Sequence, residues 1–312
     1  MTRRGPVEWL LDASIYFSFD RSGFERHARR WPGFRDPLRQ VPEARLTGLI
    51  TGGSRGIGAA AAQQLRALGH RVMVCSRGGG GDDPDTLELD LADWDRVAEL
   101  ADGLPELDFV ILNAGAMPER FAVNADGVEL QMASQLFGHY LLARRLVRAG
   151  RLGPGARVVW TSSGGMYARR LHLRHLYANE AYDKVATYAN VKRAQVVLNR
   201  MMGGMEAFEG IGCYAMHPGW VATQGLQEAL PRFYAWTQGR LRTPEQGADT
   251  LVWLAARPAA GEPGVASAPL DSGGLYFDRA PVSPYLLPGT REPAATRRDL
   301  LDALERRLAR LL

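Results

Sequence analysis

Beyond position 45, short wholly apolar runs alternate with longer stretches in which apolar residues return every three or four positions. The runs predict strands at 45–50, 71–76, 86–89, 108–112, 157–161, 212–216 and 275–277. The stretches between them predict helices at 56–68, 97–102, 129–149, 187–207 and 245–256. Strands apolar on both faces and separated by helices are those of an α/β chain. The expected architecture is a doubly wound parallel sheet of about seven strands with helices on both sides.

Three regions break the alternation. Trp9, Leu10, Ala13, Tyr16 and Phe17 fall at helical spacing before Pro32, Pro37 and Pro42, so a short amphipathic helix opens a leader over 1–44. That leader either covers an apolar surface of the body or makes peripheral contact with a membrane. At the other end Leu300, Leu304, Leu308 and Leu311 repeat through Arg and Glu, giving an amphipathic helix over 291–312 that docks on the body or on another subunit of a homo-oligomer. The main domain then occupies 45–290. Within it, only residues 77–85, with four consecutive glycines, join the second and third strands. A parallel crossover ordinarily takes about a dozen residues, so a helix is missing there or reduced to a loop.

Composition narrows the class. The chain has 312 residues, 46% hydrophobic and 23% charged, with a formal charge of +4 spread along it, which does not favour a nucleic-acid partner. Cys75 and Cys213 both fall in predicted strands, as buried thiols of a reduced protein rather than a disulfide scaffold. No apolar stretch approaches the roughly 18 residues of a membrane span, and the N-terminus lacks a signal-peptide core, so the expected location is cytoplasmic. No metal site is expected. Among 38 basic residues only Lys184 and Lys192 are lysines.

Candidate chemistry begins directly after the first strand, at Thr51-Gly52-Gly53-Ser54-Arg55-Gly56-Ile57-Gly58. Glycines there let the backbone turn tightly and approach a pyrophosphate, whose charge the next helix N-terminus stabilises. A glycine run between a strand and a helix makes this a dinucleotide loop of a Rossmann-like fold rather than an ordinary tight turn. The second strand ends Cys75-Ser76-Arg77, with no carboxylate until Asp82. An acidic residue at that point would bind a ribose hydroxyl, whereas Arg suits a 2′-phosphate. Arg77, unless merely solvated, and Arg55 within the loop can give charge-assisted contacts to a phosphate dianion. NADP(H) is therefore the expected cofactor.

Tyr188 and Lys192 stand at i and i+4, on one face of a predicted helix. A phenol titrates near 10 in water; a neighbouring ammonium and a positive nicotinamide would bring it down toward a useful acid or base. In a chain that uses Arg almost everywhere, a lysine here points to a need for a compact ammonium. The fifth strand runs into Thr161-Ser162-Ser163-Gly164-Gly165, and a hydroxyl at a strand's carboxyl end faces the ligand crevice of an open sheet. Ser163 can hold a substrate carbonyl oxygen beside Tyr188.

Over about 45–280 these residues resemble the short-chain dehydrogenase/reductase family. The resemblance rests on Thr51 to Gly58, Asp90-Leu91, Asn113-Ala114-Gly115, Ser163, Tyr188 with Lys192, and Pro218-Gly219-Trp220-Val221-Ala222-Thr223, in that order. It implies that Tyr188 is the acid/base, that Ser163 orients the carbonyl, and that Lys192 binds the nicotinamide ribose and tunes Tyr188. It further implies that Asp90 contacts adenine, that Asn113 and Gly115 line the cofactor, and that Val221 and Thr223 hold carboxamide and pyrophosphate. A closer likeness is to the dehydrogenase/reductase SDR family member 12 group, through the aromatic leader, Ser162 to Met166, 188–198, Met216 to Trp220 and 242–254. The family's fourth catalytic residue is an Asn that positions a relay water; alignment places Gln135 there, one methylene longer.

The reading that follows is hydride transfer between NADP(H) and a carbonyl or secondary alcohol of a small molecule. Met166, Tyr167, Trp220, Phe233, Tyr234 and Trp236 flank the expected crevice and lean toward a hydrophobic substrate, although aromatics at helical spacing equally form core. Gln135 and the missing helix motivate an alternative, a catalytically weak NADP(H)-binding sensor or scaffold. A sugar-nucleotide epimerase fits less well, since that branch has other glycine spacing and a larger C-terminal substrate domain. His217 reads as a strand-end histidine.

Overall fold

The structure, a computed structural model, describes residues 14–31, 45–79, 83–173, 182–256 and 270–312. The expectations placed on Trp9, Leu10, Ala13, Pro32, Pro37, Pro42 and Asp82 fall outside them.

Eight strands form one sheet: β1 Thr47–Thr51, β2 Arg71–Ser76, β3 Thr86–Glu88, β4 Phe109–Leu112, β5 Arg157–Thr161, β6 Gly212–Met216, β7 Gly274–Phe277 and β8 Ala280–Pro281. Their order is β3-β2-β1-β4-β5-β6-β7-β8. All pairings are parallel except β7 with β8. Successive side chains of a strand point to opposite faces, and the core divides accordingly. Leu49, Val110 and Val158 join one buried cluster, and their neighbours Ile50, Ile111 and Val159 join the other. Burial on both faces is why the strands read as continuous apolar runs.

The helices are α1 Ile15–Ser18, α2 Arg21–Ala28, α3 Gly56–Ala67, α4 Trp94–Gly103, α5 Leu130–Met132, α6 His139–Arg148, α7 Lys184–Met202, α8 Gln224–Ala229, α9 Pro231–Thr237, α10 Pro244–Ala256 and α11 Ala294–Leu308. A π turn, Ala133–Gly138, separates α5 from α6 where a single helix was expected. Its last residue, Gly138, packs closely: a Cβ there would stand 2.1 Å from the Leu91 carbonyl oxygen. α7 starts earlier than its periodicity suggests because the Asp183 carboxylate caps it, accepting from the Val185 and Ala186 amides at 2.9 and 2.8 Å. The two short helices α8 and α9 and the strand β8 were not foreseen.

The short connection between β2 and β3 contains no helix among its described residues. It suffices because β3 is a brief edge strand whose first residue, Thr86, pairs with Val74. The chain has to return only about 7 Å along the sheet, two residues of strand rise.

The described part of the leader, 14–31, and the C-terminal helix both lie on the body. Leu300, Leu304 and Leu308 of α11 are fully buried, and Glu305 pairs with Arg144 at 2.5 Å and accepts from the Tyr140 hydroxyl. Before α11, Glu292 meets Arg193 at 2.9 Å with both side chains buried. Of the leader, Asp20 caps α2 by accepting from the Gly23 amide at 3.0 Å, and Phe19 is buried among Tyr167, His217, Trp220 and Phe277. No helix among the described residues is long and apolar enough to cross a membrane. Cys75 and Cys213 are free and buried, and burial pushes both thiols up to about 12.

Candidate active site

The site lies at the carboxyl edge of the sheet, where the strand order reverses between β1 and β4. After β1 the backbone turns at Gly52 (φ 67°) and Gly56 (φ 59°), a region that glycine enters with no steric cost. A Cβ on Gly58 would sit 2.3 Å from the Gly52 carbonyl oxygen, and one on Gly52 would sit 2.8 Å from Ala114 Cα. Thr51 pins this turn to the end of β4. Its Oγ1 accepts from the Asn113 and Ala114 amides at 2.9 and 3.0 Å, while Asn113 Nδ2 donates back to the Thr51 carbonyl at 3.1 Å. His139 completes the network. Its Nδ1 lies 3.0 Å from the Gln135 carbonyl, which can only accept, so Nδ1 carries the proton and Nε2 accepts from the Thr51 hydroxyl at 2.8 Å. Burial pushes His139 down to about 3 and keeps it neutral.

Ser163, Tyr188 and Lys192 come together beside this turn. Ser163 follows β5 and its Oγ accepts from the Gly165 amide at 3.3 Å; Ser163 is near enough to the Tyr188 side chain to pull its phenol down. Lys192 Nζ donates to the Thr161 carbonyl at 2.8 Å and stands 5.3 Å from the centre of the Tyr188 ring. Burial pushes the Tyr188 phenol up to about 12, against the pull of Ser163, and pushes the Lys192 ammonium down to about 7. The lowering of Tyr188 expected from a neighbouring ammonium does not appear in the chain by itself, where loss of solvent sets the direction. Gln135 is buried, its Nε2 donating to the Ala116 carbonyl at 2.7 Å and its Oε1 without a hydrogen-bond partner. A Cβ on Gly115 would lie 2.9 Å from that Oε1 and 3.6 Å from Lys192 Nζ, so Gly115, Gln135 and Lys192 border one space.

The loop after β6 closes the other side. Thr223 caps α8 by accepting from the Leu226 amide at 3.1 Å, and its methyl lies 3.4 Å from where a Gly56 Cβ would stand. Val221 bridges to Arg242, Pro218 is buried, and Gly219 has φ 76°. Ser54, Arg55, Arg77 and Asp90 are exposed, Ile57 and Ser76 half-buried and Leu91 buried. Arg55 has Glu228 of α8 as a distant ionic neighbour, at 3.7 Å, and Asp90 accepts from the Ala92 amide at 2.9 Å. His217 is a core residue stacked on Phe277 at 4.1 Å, pushed down to about 3 by burial, with Nδ1 unpartnered.

Sequence reasoning missed Arg242 and Asp278. Arg242 is buried, holds Asp278 at 2.5 and 2.8 Å, and donates to the Ser18 and Phe19 carbonyls at 2.9 and 3.0 Å. The Phe19 carbonyl also accepts from the Trp220 amide at 2.8 Å, and His27 Nδ1 lies 2.6 Å from Asp278. Leader and loop therefore share one ionic anchor. Nothing in the sequence marks the pair: Arg242 stands near Arg240, Thr243 and Glu245, and Asp278 beside Arg279.

Known proteins carry the same pattern. The sequence profile for short chain dehydrogenase matches residues 47–232. The human protein named dehydrogenase/reductase SDR family member 12 is 32% identical over 276 residues, covering 82% of this chain and 84% of that one. Polyprenol dehydrogenase of Mus musculus is 32% identical over 256 residues, covering 72% and 75%. Among solved structures, a protein described as an NAD(P)-dependent gluconate 5-dehydrogenase from Beutenbergia cavernae, with NADP bound at low occupancy, superposes with a TM-score of 0.54 at 25% identity. It covers 70% of this chain and 92% of its own.

Proposed function

Because this chain belongs to the short-chain dehydrogenase family, we propose that it moves a hydride between NADP(H) and the carbonyl or secondary alcohol of a hydrophobic small molecule. The observation that carries the reading is the convergence of Ser163, Tyr188 and Lys192 on the carboxyl edge of the sheet. The residues fit a nicotinamide dinucleotide: a Cβ would fill the cradle at Gly52 and Gly58, and Gln135 Oε1 is a buried acceptor left without a donor. The nicotinamide, when bound, supplies or accepts the hydride.

In this reading Thr51, Gly52, Ser54, Arg55, Gly56, Ile57 and Gly58 take the pyrophosphate side. Asp90, Leu91, Asn113, Ala114 and Gly115 line the nucleotide, and Pro218, Gly219, Val221 and Thr223 close over it. In reduction, Ser163 donates a hydrogen bond to the carbonyl oxygen and Tyr188 gives that oxygen its phenolic proton as the C–O double bond becomes single. A phenol held near 12 is protonated at neutral pH, the state this direction needs. Lys192 holds the ribose hydroxyls and offers a proton path back to Tyr188. An apolar substrate is supported by Trp220, Phe233 and Trp236 beside the site, and by the name of the polyprenol dehydrogenase relative.

Ser76 and Arg77 at the end of β2, with Arg55, favour the 2′-phosphate. Glu88 pairs beside Ser76 and makes the charge there mixed, so the cofactor comparison is decisive. NADPH is expected to bind at least about tenfold tighter than NADH, ~1.4 kcal/mol. Titration with both, followed by a carbonyl and alcohol panel read at 340 nm, tests the proposal; equal dissociation constants contradict the preference. NADPH binding with no turnover across the panel would favour the sensor or scaffold reading instead.

A further inference from the structure

The leader reaches into the site. A Cβ on Gly164, the residue after Ser163, would lie 2.4 Å from the Phe19 ring, and the Phe19 carbonyl accepts from the Trp220 amide at 2.8 Å. Phe19 thus sets the spacing between the loop that bears Ser163 and the loop that bears Thr223. From there a row of rings runs outward: Trp220 to Tyr16 at 5.7 Å, Tyr16 to Trp236 at 5.5 Å, and Tyr16 to Phe17 at 5.0 Å, with Phe233 5.2 Å from Trp220. Exposure rises along it, from 5% at Phe19, through half-buried Tyr16 and Trp220, to 68% at Trp236. Arg240 fixes the outer rings, lying 4.4 Å from the centre of Tyr16 and 5.0 Å from that of Phe17 while pairing with Asp20.

An indole left this exposed beside other rings is apolar surface waiting to be covered. We propose that residues 14–31 supply one wall of the substrate site, with Tyr16 and Trp236 as specificity-determining rings, and that the substrate carries its carbonyl or alcohol on a flat, apolar ring system. Aromatic rings 5–6 Å apart and tilted to one another offer edges and faces against which such a guest packs. The wall would lead from solvent to Ser163 and belongs to this chain's leader rather than to the elements that hold the dinucleotide. The chemistry assigned to the guest rests on the hydride-transfer reading; the wall itself does not.

The test is calorimetric titration of the full chain with 2-acetylnaphthalene in the presence of NADP+, so that binding is read without turnover. Losing one packed ring should raise the dissociation constant about three- to tenfold in Tyr16→Ala and in Trp236→Ala. Trp236 is mostly exposed, so its variant keeps the fold should Tyr16→Ala loosen the leader. Failure of the unaltered protein to bind the ketone, or unaltered affinity in both variants, overturns the proposal. Binding that weakens as expected, with no reduction by NADPH of this ketone or of the wider carbonyl panel, upholds the wall and sinks the hydride-transfer reading.

Discussion

Loss of solvent acts on Tyr188 and Lys192 in opposite directions, favouring the neutral phenol and the neutral amine. Both shifts can be tested. The first concerns Lys192, whose ammonium loses its proton in the free chain as pH rises through about 7. If that ammonium holds the ribose, NADPH binding takes up a proton above this point, and affinity falls between about pH 7 and 9. Dissociation constants at pH 6, 7.5 and 9 check it, and a flat profile shows that Lys192 keeps one protonation state across this range. The second is the division of labour. Tyr188→Phe keeps the ring but removes the donated proton, lowering turnover about 10²–10⁴-fold with NADPH affinity nearly unchanged. Lys192→Arg retains charge, yet a planar guanidinium cannot fit the contact to the Thr161 carbonyl in the same space, so turnover and NADPH affinity should both drop. A Tyr188→Phe protein that folds and reduces a good carbonyl at the normal rate would refute the assignment.

At the scale of elements, the anchor between leader and loop is the point to break. Burial pushes the Asp278 carboxyl up, but the Arg242 guanidinium and the His27 side chain outweigh it and hold it below the usual carboxylate range. A lowered carboxyl stabilises the fold above its unfolded value near 3.8 and ceases to as pH falls through the folded one, so the anchor holds across neutral pH. Asp278→Asn keeps the shape and suits the positive φ of 47° there, yet leaves Arg242 buried without a counter-charge. The expected cost is about 3–5 kcal/mol in urea unfolding, and an unchanged midpoint would show that the anchor is not needed. None of this was legible in the sequence, because Arg242 and Asp278 are far apart along the chain and follow no period. The strands and main helices were legible, since burial on both faces or one writes itself as a run or a repeat. β8 has too few residues for a pattern, and the π turn interrupts a helix whose apolar spacing gives no sign of it. Ser163, Tyr188 and Lys192 could be picked out by spacing and strand ends alone, whereas the leader's aromatics gained meaning only once Trp220 was seen against them.

On the scale of the whole molecule, α11 seals one side. Fully burying a leucine is worth about 1.5–3 kcal/mol, and Leu300, Leu304 and Leu308 are all buried. A chain ending at Pro293 should melt lower and self-associate on size-exclusion chromatography; a monodisperse product with the original melting temperature would show that the helix is dispensable. The leader poses a different question, one of time. Its partners are made late: Arg242 follows Ser18 by 224 positions and Asp278 follows His27 by 251. At about 5–20 residues per second of synthesis, Phe19 and its neighbours wait roughly ten to fifty seconds for Arg242 and Asp278 to follow. The nascent chain therefore carries a sticky aromatic tip through most of its synthesis, and the site takes its final shape only when the last sheet strands have arrived.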